Sequence, residues 1–151
     1  ILRTSGLIGP VGKNFVLTML KLHSEKQTIN VVSDQISAPT RSKDLAKAVW
    51  QIIKYKKSKE LPFIMHWSDA GFASWFDIAN EIGNIGLKLG ILKRKAIINP
   101  IKSEDYKSLA KRPKYSLLDI KQTSELLELK PLDWKENLEY ILYEYKRINH
   151  L

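Results

Sequence analysis

The stretch Val31-Val32-Ser33-Asp34-Gln35-Ile36-Ser37-Ala38-Pro39-Thr40, running into Arg41-Ser42-Lys43-Asp44-Leu45-Ala46, restricts what this chain can fold into more than any other. An apolar run ends in a polar tip, and a turn carrying Ser37 and Pro39 comes next. Leu45, Val49 and Ile52 then recur at helical spacing over residues 42–55. Strand, turn and helix in that order point to an α/β fold, where ligand sites form at the carboxyl ends of strands. Asp34 and Gln35 carry hydrogen-bonding groups to that tip. Pro39 stiffens the turn and drives Ala38 towards an extended conformation. An ordinary polar connection would use the same residues, so the stretch alone does not establish a site.

The remaining elements are predicted from pattern and punctuation. Residues 1–4 read as a strand, and residues 5–13 as a loop with three glycines and Pro10. Asn14 is a helix cap, with Phe15, Met19 and Leu22 on one face after it. Residues 28–32 are β-branched and read as a strand. Residues 56–60 form a charged connection, and residues 63–67 a short strand opened by Pro62. After a loop at 69–73, Ser74 and Asp77 have the spacing of a capping box, with Phe76, Ala79 and Ile82 continuing helically. Gly83, Gly86 and Gly90 are expected to weaken the later turns. Residues 102–115 form a basic loop. Asp119 and Gln122 start a helix that ends before Pro131. Asp133 starts the last helix, with Trp134, Leu138, Ile141, Tyr145 and Ile148 as its apolar stripe.

The 151 residues amount to one domain, enough to bury a core. A net charge of +9 suggests anionic partners, with nucleotide-sugar phosphates one class and nucleic acid another. Much of the excess sits at Lys54, Lys56, Lys57 and Lys59 and at Lys93, Arg94 and Lys95, both of which read as solvated loop edges. The absence of cysteine excludes disulfides and thiolate zinc sites and suits a cytoplasmic protein. No apolar run reaches the length of a membrane span.

Little of the usual catalytic vocabulary is present. His23, His66 and His150 lack metal-ligand spacing. Ser5 is not in a G-x-S-x-G elbow. Trp50, Trp75 and Trp134 lie on apolar stripes and are expected in the core. Arg112-Pro113 has two readings. It is either a guanidinium that forks onto phosphate oxygens from a loop stiffened by proline, or a surface arginine beside a turn.

Asp34-Gln35-x-x-Ala38-Pro39-Thr40, with Asp44-Leu45-Ala46 after it, resembles the dTDP-4-dehydrorhamnose reductases, which are extended short-chain dehydrogenase/reductases. Other blocks agree in order: Ile1-Leu2-Arg3-Thr4-Ser5, Gly12-Lys13-Asn14-Phe15, Ser74-Trp75-Phe76-Asp77-Ile78-Ala79, Lys111-Arg112-Pro113-x-x-Ser116 and Pro131-x-Asp133-Trp134. The likeness runs from Ile1 to about Tyr145, and it implies a short strand at 97–101. Two family features are missing. There is no G-x-G-x-x-G, for which Gly9-Pro10-Val11-Gly12 does not substitute, and no Tyr is followed four residues later by Lys in a family-like context, Tyr106 preceding Ala110 and Tyr143 preceding Arg147 by four. The expected fold is therefore α/β, the Rossmann-like C-terminal substrate-binding portion of such a reductase. Residues 1–151 would form a single domain, with the dinucleotide-binding half elsewhere.

The resemblance implies a function and a set of site residues. The substrate would be a dTDP-sugar, reduced with NADPH or NADH, and this chain alone would be inactive, with no catalytic residue of its own. Asn14, Gln35, Pro39, Thr40 and Arg112 would bind substrate, and Thr4 and Ser5 would border the cofactor. Some family members hold magnesium between subunits, which would assign Mg2+ to Glu25 and Glu144 and make the protein a homodimer. Gly6 and Ile8 depart from the family's Arg-Thr-Ser-Trp-x-Tyr-Gly block, removing an aromatic wall worth about 1–3 kcal/mol of buried apolar area. Either the substrate differs or another residue fills the space. A non-catalytic regulatory subunit, a related sugar-nucleotide epimerase or dehydratase, and a nucleic-acid binder resting on charge alone are the alternatives.

Overall fold

The computed structural model describes residues 1–55, 60–108, 110 and 112–151. Most of the charged connection expected at 56–60, with Lys56, Lys57 and Lys59, lies outside the described residues, as does Lys111. Among the described residues, eight short strands and five α-helices alternate along the chain. Three strand pairs are parallel: β1 (Leu2–Thr4) with β6 (Met65–Trp67), β2 (Leu7–Ile8) with β5 (Thr40–Arg41), and β3 (Thr28–Val32) with β8 (Ile97–Ile101). One is antiparallel, β4 (Ile36–Ser37) with β7 (Ala73–Ser74). Parallel pairing needs long crossovers, and helices supply them.

Local signals build the helices. Asn14 caps α1 (Phe15–Glu25), its side-chain oxygen accepting from the amides of Val16 and Leu17. Ser74 and Asp77 form the reciprocal capping box of α3 (Trp75–Lys88). Asp133 accepts from the Lys135 amide at the start of α5 (Trp134–Ile148). The helix expected after Asp119 is shorter, α4 (Lys121–Leu126). It stops ahead of Glu128, whose φ of 53° lies in the left-handed region.

The main core lies where α1, α3 and α5 meet β3. Val16, Met19 and Leu20 face Ile78, Ala79 and Ile82, with Leu138, Ile141 and Leu142 of α5 completing it. The helix α3 runs through Gly83 and Gly86 to Lys88, so these glycines do not end it. A Cβ on Gly83 would come within 2.8 Å of the buried His23 ring. That ring accepts from the Ala96 amide at Nδ1 (3.2 Å) and donates from Nε2 to the Ala79 carbonyl (2.9 Å), joining α1, α3 and the approach to β8. Close approach of two helices is the reason for glycine there.

A second, thinner layer joins α2 (Ser42–Tyr55) to β1 and β6. Its buried apolar residues are Ala48, Trp67 and Leu127, with Leu2, Leu45, Ile52 and Leu129 against them. Trp50 corrects the expectation of a core tryptophan: it is 60% exposed, with the Lys54 ammonium 5.9 Å from its ring. Val49, placed on the same buried stripe by periodicity, is exposed too, as are Ile53 and Phe63. Trp134 is buried as expected, whereas Trp75 is half-buried.

Candidate functional site

A cleft of about 1150 Å3 opens between α1, the end of β3 and the loop from Ser103 to Lys114. Phe15, Thr18, Met19 and Leu22 form its helical side, and Ile29–Val32 with Asp34 and Gln35 form its floor and tip. Trp75 stands at the start of α3, and Ser103, Tyr106, Arg112 and Lys114 reach in from the loop. A largely apolar cleft with a few convergent polar groups is the usual form of a small-molecule site.

The polar tip holds that loop at both ends. Asp34 accepts from the Ser103 amide (2.8 Å) and hydroxyl (2.6 Å), and Gln35 Nε2 donates to the same hydroxyl (2.9 Å). At the far end the Ile36 amide donates to the Lys114 carbonyl (2.8 Å), and the Ser116 amide to the Ile36 carbonyl (3.0 Å). The Ser103 hydroxyl, helped by Lys114 at 3.8 Å, holds the Asp34 carboxyl below its ordinary range. Lys114 is thus paired with Asp34, and Glu104 with Lys102 at 3.6 Å. Arg112 lines the cleft with no ion-pair partner among the described residues.

The expected site residues separate on this geometry. Arg112 and Gln35 line the cleft, Gln35 with one amide hydrogen bond already committed to Ser103. Asn14 does not line it. Its oxygen caps α1, and its Nδ2 donates to the carbonyls of Gly9 (3.0 Å) and Val11 (3.2 Å). Pro39 and Thr40 also lie outside the lining. Thr40 is fully buried and accepts from the Thr4 hydroxyl at 3.0 Å, while the Pro39 carbonyl accepts from the Asp69 amide at 3.0 Å. These three residues lie in the scaffold around the cleft.

Thr4 and Ser5 stand at the carboxyl end of β1. The Ser5 hydroxyl donates to the Ala38 carbonyl, so both hydroxyls tie β1 to the turn beneath Pro39. Magnesium finds no support. Glu25 pairs with Lys21 at 3.9 Å, and Glu144 with Arg41 and Lys43, both at 3.3 Å. Burial works to raise the Glu144 carboxyl, but those two cations outweigh it and hold it below its ordinary value. Among the described residues no three His, Cys, Asp or Glu side chains cluster as a metal site.

Sequence reasoning missed a buried polar node behind the turn. Arg41, only 7% exposed, reaches Glu144 and Asn137 and lies 5.3 Å from the Tyr140 ring centre. Asp69, 2% exposed, accepts from the Arg41 amide at 3.1 Å, while its Oδ2 has no hydrogen-bond partner among the described residues. Burial pushes its carboxyl up to about 7, with the Arg41 amide and Asn137 offsetting part of the rise. No local signal marks these residues, because they meet across 28 to 103 positions of chain.

Parallel strand pairs joined by helices, with a cleft at the carboxyl end of β3, define a Rossmann-like α/β ligand-binding unit of the extended short-chain dehydrogenase/reductase type. A family profile described as the RmlD substrate binding domain matches residues 1–147, and the chain belongs to that family. It is 36% identical over 143 residues to a dTDP-4-dehydrorhamnose reductase of Aggregatibacter actinomycetemcomitans, covering 93% of this chain and 49% of that protein. It is 39% identical over 145 residues to the spore coat polysaccharide biosynthesis protein SpsK of Bacillus subtilis (strain 168), covering 95% and 47%. The chain therefore spans about half the length of the curated relatives it matches. Among solved structures it matches a dTDP-4-dehydrorhamnose reductase of Clostridium acetobutylicum with a TM-score of 0.82 and 34% identity over 96% of this chain and 48% of that one. The Bacillus anthracis reductase, solved in complex with NADP, gives 0.78 and 33% over 95% and 47%. A UDP-glucuronic acid 4-epimerase of Bacillus cereus, at 21% identity and a TM-score of 0.72, shares the fold.

Proposed function

We propose that this chain holds the dTDP-sugar in a reductase that converts dTDP-4-dehydrorhamnose to dTDP-rhamnose for polysaccharide synthesis. The observation that carries this reading is Arg112, an exposed guanidinium on the cleft wall with no ion-pair partner among the described residues. Its planar fork suits the paired oxygens of a diphosphate. The cleft is also large enough for a nucleotide sugar. A cytoplasmic setting belongs to the same reading, since a chain without cysteine is at home in a reducing compartment.

In this proposal the chain's own work is binding and orientation. Bound NADPH or NADH supplies the hydride, and the ketone oxygen must then receive a proton. In this reading a second unit carries the proton donor and the dinucleotide turn. Support for such a unit comes from β1, which among the described residues pairs only with β6, and from the exposed apolar side chains of α2. The purified 151-residue chain should therefore bind the nucleotide sugar without oxidising NADPH, and turnover by this chain alone would overturn that division. The decisive titration compares wild type with Arg112→Lys, using dTDP-rhamnose in a calorimeter. Loss of the bidentate contact should cost about 1–3 kcal/mol, roughly a five- to 150-fold rise in Kd. Equal affinities would remove Arg112 from the site.

A further inference from the structure

We propose that Asp34 is the positioning residue for Arg112: its carboxylate stands in the cleft wall to hold both ends of the loop that presents the guanidinium. This inference rests on the nucleotide-sugar reading of the cleft and adds the residue that sets the place of its phosphate-binding arm.

A carboxylate is an odd lining for a space that receives a diphosphate. Asp34 lies in the cleft wall together with Arg112 and Lys114. The Ser103 hydroxyl holds its carboxyl below the ordinary range, so it is charged at neutral pH. A bare negative charge there would repel the phosphates. This one is engaged on both oxygens. Oδ1 accepts from the Ser103 amide (2.8 Å) and hydroxyl (2.6 Å), where the loop begins. Oδ2 lies 3.8 Å from the Lys114 ammonium, where the loop ends. One side chain thus spans the base of the loop.

The residues around Asp34 grip the same two ends. The Ser33 amide donates to the Ile101 carbonyl at 2.9 Å, just ahead of the loop. Gln35 Nε2 donates to the Ser103 hydroxyl at 2.9 Å, so that hydroxyl joins both side chains of the tip. The Ile36 amide donates to the Lys114 carbonyl at 2.8 Å. Pro113 alone separates Arg112 from the Lys114 anchor. Its ring fixes its own φ and keeps Arg112 extended. An arginine carried on a strap held at both ends loses less freedom when an anion arrives than one carried on a strap held at one.

The two possible roles of the carboxylate predict opposite signs. As a mere charge on the wall, its removal would strengthen the binding of an anion. As the pin of the Arg112 loop, its removal weakens that binding.

The test titrates the 151-residue chain with dTDP-rhamnose in a calorimeter, with melting temperatures measured alongside. Asp34→Ala should weaken binding about tenfold, and Ser103→Ala, which keeps the amide bond to Asp34, about threefold. Ser103→Thr retains the hydroxyl and should bind as wild type does. In an Arg112→Lys background, Asp34→Ala should cost less than about twofold more, because Asp34 acts through Arg112. Tighter or unchanged binding by Asp34→Ala would overturn the proposal and leave the nucleotide-sugar reading standing. Additive losses in the double variant would overturn it too, since Asp34 would then act independently of Arg112. Should Asp34→Ala fail to fold, the Ser103 pair carries the test, and equal affinities of wild type, Ser103→Ala and Ser103→Thr would overturn the proposal. A folded wild type that binds no dTDP-rhamnose would remove the reading and the inference together.

Discussion

The core between α1, α3, α5 and β3 and the layer formed by α2, β1 and β6 are built to different standards. In the first, helices bury apolar side chains on one another and close around Ile82, Leu138 and Ile141. In the second, Ala48, Trp67 and Leu127 are buried, while Val49, Trp50, Ile53 and Phe63 face outward, Phe63 being 78% exposed. The cleft draws Met19, Ile29 and Val31 from the first region, so its walls rest on the well-filled core. The difference teaches where each region's stability comes from. The core holds the binding cleft by itself, whereas the α2 layer leaves apolar side chains on its outer face exposed.

The largest expected effect tests that contrast directly. Ile82 has no exposed surface, and Ile82→Ala should destabilise the chain by about 2–5 kcal/mol through lost burial and the cavity left behind. Ile52 of the thin layer is only partly buried, so Ile52→Ala should cost less than half as much. Denaturant unfolding of both variants checks the ratio. Equal losses would mean that the two regions are filled alike.

Much of the first region was legible in sequence, because its signals are local. Asn14, Ser74 with Asp77, and Asp133 cap helices through amides two or three positions away, and that spacing is readable without a fold. The strand at 28–32 was readable from its branched side chains, whereas its partner at 97–101 was expected only from the family likeness. The apolar stripe of α2 was equally readable, but periodicity names a face and not what covers it. Trp50 and Trp134 carry the same pattern, yet one is exposed and the other buried. The cleft was legible only in part. Asp34 and Gln35 were picked out, but their partner Ser103 lies 68 or 69 positions away. Asn14 could serve a ligand or a backbone equally well in sequence, and the structure shows its side chain making four hydrogen bonds to the backbone.

A second comparison is sharpened by Asp69, which follows β6 and sits at the seam with Arg41 of β5 and Asn137 of α5. Burial raises its carboxyl from 3.8 to about 7. Between those values the folded protein keeps a proton that the unfolded chain has released. Stability from this group is thus highest below about pH 4, falls as pH rises, and levels above about 7. A shift of roughly three units corresponds to a change on the order of 4 kcal/mol. Asp69→Asn keeps Oδ1 as acceptor for the Arg41 amide and removes the ionisation. Its stability relative to wild type should rise steadily from about pH 4 to about pH 8, measured by denaturant unfolding across that range. Parallel curves would show that Asp69 ionises normally and that the seam tolerates charge.

The smallest effect is expected at Trp50, and it is the sharpest test of the open face. Large-to-small substitution of a buried tryptophan costs about 3–5 kcal/mol. Trp50 is 60% exposed, and the Lys54 ammonium lies 5.9 Å from its ring, a contact worth about 0.5–1 kcal/mol at an exposed site. Serine and tryptophan have similar helix propensities, so α2 itself should persist. Trp50→Ser should therefore lower the melting temperature of the isolated chain by no more than about 2–4 °C. The same change removes the largest apolar side chain from the outward face of α2, and self-association in sedimentation velocity should diminish. In a protein where a second unit covers this face, Trp50→Ser should cost several-fold more stability than in the isolated chain, because the indole is then buried. A fall in the isolated chain as large as that of Ile82→Ala would place Trp50 in a filled core and abolish the distinction between the two regions.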